Sequence, residues 1–439
     1  MSLANDFESF CGSKNFELSD EMDTAIKEIT KKLNSKYYDL SSEEKDHMYI
    51  VGSMGRMTAV KSSSDLDLLF DLPDSLFSKY DSYGSNGQSE LLQNVKEILM
   101  ERYPKTFIKG DGQVVVIEFT KYTVELVPAF KQSDGKFKYP DTHNGGSWKY
   151  TDPLSEQNEC MESSKKSSGA FINFCHIIRE WKNNEGFKFG GLLIDTFVFN
   201  HLNSCAFEDD YSFDNYLEIL KNILDYVGGL DKNQSYWYAL GSNQKIFNNS
   251  KGNFVSKAKK TLKQIQDAES NEDDMNDVLR EILGNDFPKS ESSELLTEES
   301  LAFEKTYDNT EKFIEDVFPV DIRYSLQIDC CISQNGFRTF WLRKFPNKYI
   351  GIKKELKFSV TSTDCQDYDV FWKVRNVGNE AIRRNCIRGQ IVKGNNQKIE
   401  HSQFNGNHYV ECYLVKNGVC VARDRIDVPI SMNVSLDRK

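Results

Sequence analysis

The stretch that most constrains this chain runs from Tyr49 to Pro73, YIVGSMGRMTAVKSSSDLDLLFDLP. An apolar lead-in reaches Gly52-Ser53, eleven residues intervene, and Asp65 and Asp67 then alternate with Leu66 and Leu68. Side chains on a strand repeat every two residues, so the two acids share one face while the leucines pack on the other. Paired carboxylates of this kind suit hard divalent cations, which prefer oxygen ligands and serve phosphate chemistry. Taken alone, an Asp-x-Asp pair is usually only the wet face of a half-buried strand. A small Gly-Ser turn upstream adds backbone N–H groups and a hydroxyl that can approach phosphate oxygens closely.

A third acid on a neighbouring strand would complete such a site. Val114–Phe130 (VVVIEFTKYTVELVPAF) reads as two strands joined near Thr120-Lys121, the second ending at Pro128. Glu125 on that second strand is the candidate, to hold metal and to draw a proton from an attacking hydroxyl, with Glu118 as competitor. The turn-rich segment Tyr139–Pro153 is expected to be a loop near the site, and its His143 an exposed loop histidine.

Helical spacing appears at Met22, Ile26, Ile29 and Leu33 behind a Ser19 cap, and at Leu92, Val95 and Leu99 behind Ser89. It dominates from Ser164 to about Leu283. There Arg179 and Lys182, three apart, project together from a helix whose apolar face is Phe171, Phe174, Ile178 and Trp181. Such a pair reads as solvated charge or as a clamp on a donor triphosphate. Gly190-Gly191 opens the next helix, and Tyr236-Trp237 with the turn Gly241–Gln244 is a candidate base pocket. The expected organisation is a nucleotide-handling region over 1–288 (α/β core to about 160, helical part 161–288), a linker over 289–317 and a β-rich domain over 318–434. In that last domain Asn417-Gly418 marks a hairpin.

With 439 residues, two domains or one with an appendage are expected. Fifty-five basic against 67 acidic residues, a net charge of −12, disfavour a stable nucleic-acid partner. Ten scattered cysteines without a C-x-x-C argue against both a disulfide framework and a zinc cluster. Neither a membrane span nor a signal peptide is apparent, so a cytoplasmic, bacterial location is expected.

The words GSMGRMTAVKSSSDLDLLFDLP, VELVPAF, PDTHNGGSW, REWK and GGLLIDT resemble the bacterial cyclic oligonucleotide synthases called CD-NTases, within the DNA polymerase beta-like nucleotidyltransferase superfamily. The part from FPVDIRYSLQIDC to GNHYVECYLVKNGVC is similar to the adenylyl/guanylyl and SMODS C-terminal sensor domain. The resemblance implies an α+β fold, with a polymerase beta-like core, a helical half and a C-terminal all-β sandwich-like domain. It further implies metal-dependent joining of nucleoside triphosphates into a cyclic di- or trinucleotide that reaches a downstream effector in antiphage defence. On that resemblance Gly52 and Ser53 meet donor phosphates. Asp65, Asp67 and Glu125 hold two Mg²⁺ (or Mn²⁺) ions, and Arg179 with Lys182 clamps the triphosphate. Glu125 stands where the family usually has Asp, and Gly191-Leu192 stand where animal relatives have serine and tyrosine. Two alternatives stand beside this one: transfer of one nucleotide to a non-nucleotide acceptor, and a ligand sensor, answering to an unknown activator, whose nucleotidyltransferase fold is gated.

Overall fold

A computed structural model describes residues 2–206, 210–290, 311–333, 338–345 and 349–431. It divides into two compact units, one comprising Met1–Trp181 and Phe189–Pro288, the other Lys182–Lys188 and the chain from Lys289 onward. Most of the expected linker, residues 291–310, lies outside the described residues.

The first unit opens with α1 (Leu3–Lys14) and α2 (Asp20–Tyr37). Ser19 caps α2 by accepting the Met22 N–H, and the helix buries Met22, Ile26, Ile29 and Leu33. Next come β1 (Met48–Ile50), the one-turn α3 (Gly52–Gly55), β2 (Asp65–Asp71), α4 (Asp74–Asp81) and α5 (Gly87–Arg102). The strands β3 (Phe107–Asp111), β4 (Val114–Glu118), β5 (Thr123–Lys131), β6 (Phe137–Asp141) and β7 (Ser147–Thr151) complete the sheet. Its order is β1-β2-β5-β4-β3, with β6 pairing β5 and β7. β2 and β5 run parallel, and the other pairs are antiparallel. Leu66, Leu68, Val124 and Leu126 pack in one core with Ile29 and Leu33 of α2 and Leu92 and Leu99 of α5.

Two sequence expectations fail locally. β5 continues through Pro128 to Lys131. Its register with β4 has ended at Leu126, and its register with β6 begins only at Phe130, so the missing proline N–H interrupts neither ladder. The segment expected as a loop is mostly the β6–β7 hairpin, in which Tyr139 pairs with Lys149 and Asp141 with Ser147. Only its tip is a turn, where Asn144, Gly145 and Gly146 all take positive φ.

The helical half contains α6 (Pro153–Lys166), α7 (Ala170–Glu185), α8 (Gly191–Ser204), α9 (Tyr216–Gly229), α10 (Asn253–Asn271) and α11 (Met275–Leu283). Between α9 and α10 lies the hairpin of β8 (Tyr236–Tyr238) and β9 (Lys245–Phe247). Phe171, Phe174, Ile178, Trp181, Phe197 and Phe254 are all essentially buried. Amid this apolar interior sits a charge cluster. Asp195, with no exposed surface, accepts from Arg179 Nη1 at 2.6 Å, from Arg56 Nε at 2.9 Å and from Thr58 Oγ1 at 2.9 Å. Burial alone would raise the Asp195 pKa, but the two guanidiniums hold it below the usual carboxylate range.

In the second unit, one sheet orders β11 (Phe340–Trp341), β10 (Leu326–Ser333), β12 (Glu355–Thr363) and β15 (Gln397–His401). The other orders β14 (Arg388–Gly394), β13 (Asp369–Arg375), β16 (Gly406–Lys416) and β17 (Val419–Ile430). Alternate residues of both sheets, among them Ile328, Cys330, Phe358, Trp372, Cys412 and Val421, fill one core, as in a β-sandwich. Asn417 and Gly418, both at positive φ, turn β16 into β17. Residues Lys182–Lys188, comprising the last turn of α7 and the short segment after it, belong to this unit. All ten cysteines are free thiols.

Burial on this scale makes stability sensitive to two polar side chains. Asp195→Ala, by stranding two buried guanidiniums, is expected to cost about 3–5 kcal/mol in chemical denaturation of the first unit. His176 is 2% exposed, and burial followed by the nearby Arg179 charge pushes its pKa down to about 4. Since the unfolded histidine takes up its proton near pH 6.5, stability held above that pH falls by about 3 kcal/mol between pH 6.5 and 4. In the same titration His176→Phe should remove that part of the slope.

Candidate active site

The site is built on one pair of strands. On β2, Asp65 and Asp67 are half-buried on one face while Leu66 and Leu68 are fully buried on the other. β5 lies parallel alongside and repeats the alternation, with Glu125 half-buried between Val124 and Leu126. The register places Asp67 opposite Glu125 and Asp65 opposite Thr123. Registered residues of a parallel pair point to the same side of the sheet, and neighbouring strands lie about 4.8 Å apart. All three carboxylates therefore rise from one face. Glu118, the competing acid, sits opposite Thr123 at the end of β4.

Against this face folds the turn after β1. Gly52 has φ +63°, and a Cβ built on it would stand 1.8 Å from Asp67 Oδ2, so only glycine lets the backbone lie on that carboxylate. The Val51 N–H donates to the Asp67 carbonyl at 2.9 Å, and the N–H groups of Thr58 and Ala59 donate to the Ser53 carbonyl. Gly55 is equally constrained, because a Cβ there would meet Gln157 Nε2 of α6 at 2.4 Å and the Ile50 carbonyl at 2.5 Å. Gly52, Ser53, Asp65, Asp67 and Glu125 are thus gathered by one sheet face and one turn.

Oxygen-only donors on a rigid sheet fit hard divalent cations. Among the described residues no three His, Cys, Asp or Glu side chains already converge as a closed metal cage. Like charges on one face repel, and a cation bound among them would offset that repulsion.

Arg179 and Lys182 are engaged elsewhere. Arg179, 5% exposed, bonds Asp195 and donates to the Cys175 carbonyl, Thr58 Oγ1 and the Gly191 carbonyl. Lys182, 7% exposed, belongs to the second unit, where its Nζ donates to the Ile322 carbonyl at 2.8 Å and pairs with Asp321 at 3.5 Å. Three residues of helix turn the two side chains by less than a full turn, enough for each to find a different buried acceptor. His143 keeps an exposed side chain, yet its Nδ1 lies 2.6 Å from Asp141 Oδ1. Desolvation works to raise the Asp141 pKa, but Lys149 and that histidine hold its carboxyl well below the usual range.

A cavity of about 700 Å³ opens at the β8–β9 hairpin, bordered by Tyr236, Trp237, Gly241, Asn243, Asn200 and Glu159. Glu159 is on α6, two residues from the Gln157 that abuts the Gly-Ser turn, and the Ser155 carbonyl of the same helix presses on Gly241. α6 therefore connects the turn to the cavity. Sequence reasoning found the aromatics and the Gly241 turn but not Asn200 or Glu159, which stand in ordinary helical patterns without a local signal. It also missed the tie between Arg56 and Asp195, whose partners are 139 residues apart.

Residues 1–163 match the Second Messenger Oligonucleotide or Dinucleotide Synthetase domain, and residues 308–431 the Adenylyl/Guanylyl and SMODS C-terminal sensor domain. A probable cyclic nucleotide synthase of Bacillus cereus (strain VD146) is 22% identical over a match covering 40% of this chain. The match spans 60% of the length of that relative. Among solved structures, the CdnC:HORMA-deltaN complex of E. coli MS115-1 has a TM-score of 0.50 at 15% identity, over 65% of this chain and 98% of that one. CdnC of the same strain with ATP has a TM-score of 0.47 at 16% identity, over 65% and 99%. The Asp65–Asp67 strand and the turn packed on it lie inside the first matched domain, and the sandwich inside the second, so the chain carries a Second Messenger Oligonucleotide or Dinucleotide Synthetase domain and an Adenylyl/Guanylyl and SMODS C-terminal sensor domain.

Proposed function

We propose that the chain joins nucleoside triphosphates into a cyclic di- or trinucleotide, releasing pyrophosphate. The observation that carries this reading is the register of Asp67 with Glu125, with Gly52 packed against the Asp67 carboxylate. In each round a ribose hydroxyl oxygen bonds to the α-phosphorus of a donor triphosphate. The bond from that phosphorus to pyrophosphate breaks, and the hydroxyl proton leaves. Asp65, Asp67 and Glu125 would hold two Mg²⁺ or Mn²⁺ ions, which when bound supply hydroxyl activation and charge neutralisation on the leaving group. The chain's own share is positional. The turn at Gly52-Ser53 offers N–H groups and a hydroxyl to donor phosphates, and the cavity at Tyr236 receives a base. Its Asn243 and Asn200 amides can both donate and accept hydrogen bonds, as base edges require.

The match to the synthetase domain and the similarity to a probable cyclic nucleotide synthase support this reading. On it, the product serves as a messenger to a separate effector in antiphage defence, made in the cytoplasm under control of the sensor domain. No helix among the described residues is long and apolar enough to cross a membrane.

Asp65→Asn/Asp67→Asn protein should release no pyrophosphate above background from a mixture of the four NTPs with Mg²⁺, and Glu125→Gln should lose about 10²–10³-fold. Wild-type release with a product that keeps a terminal phosphate, or with a nucleotide transferred to a non-nucleotide acceptor, would overturn cyclisation by mass spectrometry. Gly52→Ala should fold, yet lose activity by at least about 100-fold, because its methyl must displace the Asp67 carboxylate. Circular dichroism and the same release assay separate those two effects.

A further inference from the structure

The sensor-domain sandwich contains a cavity of about 220 Å³ at one end, between its two sheets. Its floor is core side chains, Leu356 and Phe358 of one sheet and Val374 and Val428 of the other. At about 30 Å³ per water this is room for about seven waters, comparable to one fused-ring heterocycle and too little for a nucleoside triphosphate or a cyclic dinucleotide.

Several features show a constructed recess. The β13–β14 ladder shifts register between Lys373 and Arg375, a bulge that re-aims Val374 at the cavity. Arg388, a residue with a full side chain, is held at φ +60°. Left-handed backbone at such a residue persists where its surroundings over-determine it, commonly at binding sites. Its guanidinium forms a two-pronged bond with Glu400, 2.8 Å from Oε2 and 3.1 Å from Oε1. Across from it, the His408 ring packs edge-on to Phe404. The Val377 N–H donates to His408 Nδ1, so Nε2 carries the proton and faces the Phe404 carbonyl.

The electrostatics select the ligand class. The Arg388 guanidinium is committed to Glu400, whose carboxylate also lies 3.4 Å from Lys398 Nζ, and His408 is neutral in that tautomer, so the charges beside the cavity are paired among themselves and its walls offer in-plane donors and acceptors. The rings of Phe358 and Phe404 line the cavity, and the Arg384 guanidinium lies over the Phe404 ring, 5.2 Å from its centroid, so stacking uses the face of Phe404 turned away from Arg384. We propose that this cavity binds a neutral heteroaromatic small molecule of single-nucleobase size, recognised by stacking on Phe404 and by hydrogen bonds to the Arg388–Glu400 pair. A phosphate would have to break that pair to gain the guanidinium. The site lies wholly within the second unit and involves no residue of the catalytic face.

Saturation-transfer NMR on the full chain in EDTA, with adenine, indole and nicotinamide as probes and AMP as the anionic comparator, tests this. At least one neutral probe should bind. Its affinity should fall at least about tenfold, about 1.4 kcal/mol, in Arg388→Met/Glu400→Gln. The exposed rim variant Gln403→Trp should block entry similarly while leaving the ion pair and core intact, and thermal melts verify both folds. Tyr236→Ala, in the catalytic-unit cavity, should leave this binding unchanged. The assignment is overturned if no neutral probe binds, if only AMP binds, or if binding survives both sensor-domain variants and is lost with Tyr236→Ala. Because the readout is binding without metal, a failure of nucleotide cyclisation leaves this result unaffected.

Discussion

Everything at the acidic face depends on the parallel pairing of β2 with β5. That pairing, and not any local sequence feature, stands Glu125 beside Asp67. Parallel neighbours need a long crossover between them, here the 51 residues from Leu72 to Tyr122 that carry α4, α5, β3 and β4. The crossover has its own core to fill, and α5 does so by burying Leu92, Val95 and Leu99 beneath the sheet. One face is thereby sealed, and the acids are left to the other. A one-residue slip of β5 would turn Glu125 into the core and bring Val124 or Leu126 to the acidic face.

The second constraint is the buried charge cluster at Asp195. Arg56 lies three residues past Ser53, and Thr58 binds both the Ser53 carbonyl and Asp195, so the turn that lies on Asp67 is anchored at its far end to α7 and α8. An ion cluster of this kind adds little net stability over an apolar substitute, since its desolvation cost offsets its Coulomb gain. Its value is geometric, because few other arrangements satisfy two guanidiniums and a carboxylate in an apolar interior. Glu156 extends the cluster, 3.5 Å from Arg56 Nη1 and accepting from Ser242 at 2.9 Å, toward the turn that borders the large cavity. Burial raises the Glu156 pKa, with Arg56 opposing.

Much of this was legible in the chain. The alternation at Asp65–Phe70, the glycine before Ser53, the Ser19 cap, the Asn417-Gly418 hairpin and the shift to strands beyond Phe318 are local patterns, and local patterns survive into the structure. Glu125 could be proposed because its strand repeats the same alternation. The Tyr139–Pro153 segment misled because its turn formers occupy only the hairpin tip, while its strand residues, such as Lys149 and Tyr150, are polar or exposed. Pro128 misled because the cost of a proline in a sheet depends on which neighbour it faces.

By itself the sequence determined which residues could serve as acids, turns and caps, since periodicity and backbone preference act over a few residues. Only the tertiary structure decided what each charged side chain meets. Arg179 and Lys182 are spaced like a clamp on one helix, yet each lies in a buried environment with its own acceptor, Asp195 for one and the Ile322 carbonyl for the other. Those acceptors are 16 and 140 residues away in the chain. Desolvation makes an unpaired buried cation so costly that the nearest buried acceptor wins it, and no helical spacing records where that acceptor will be.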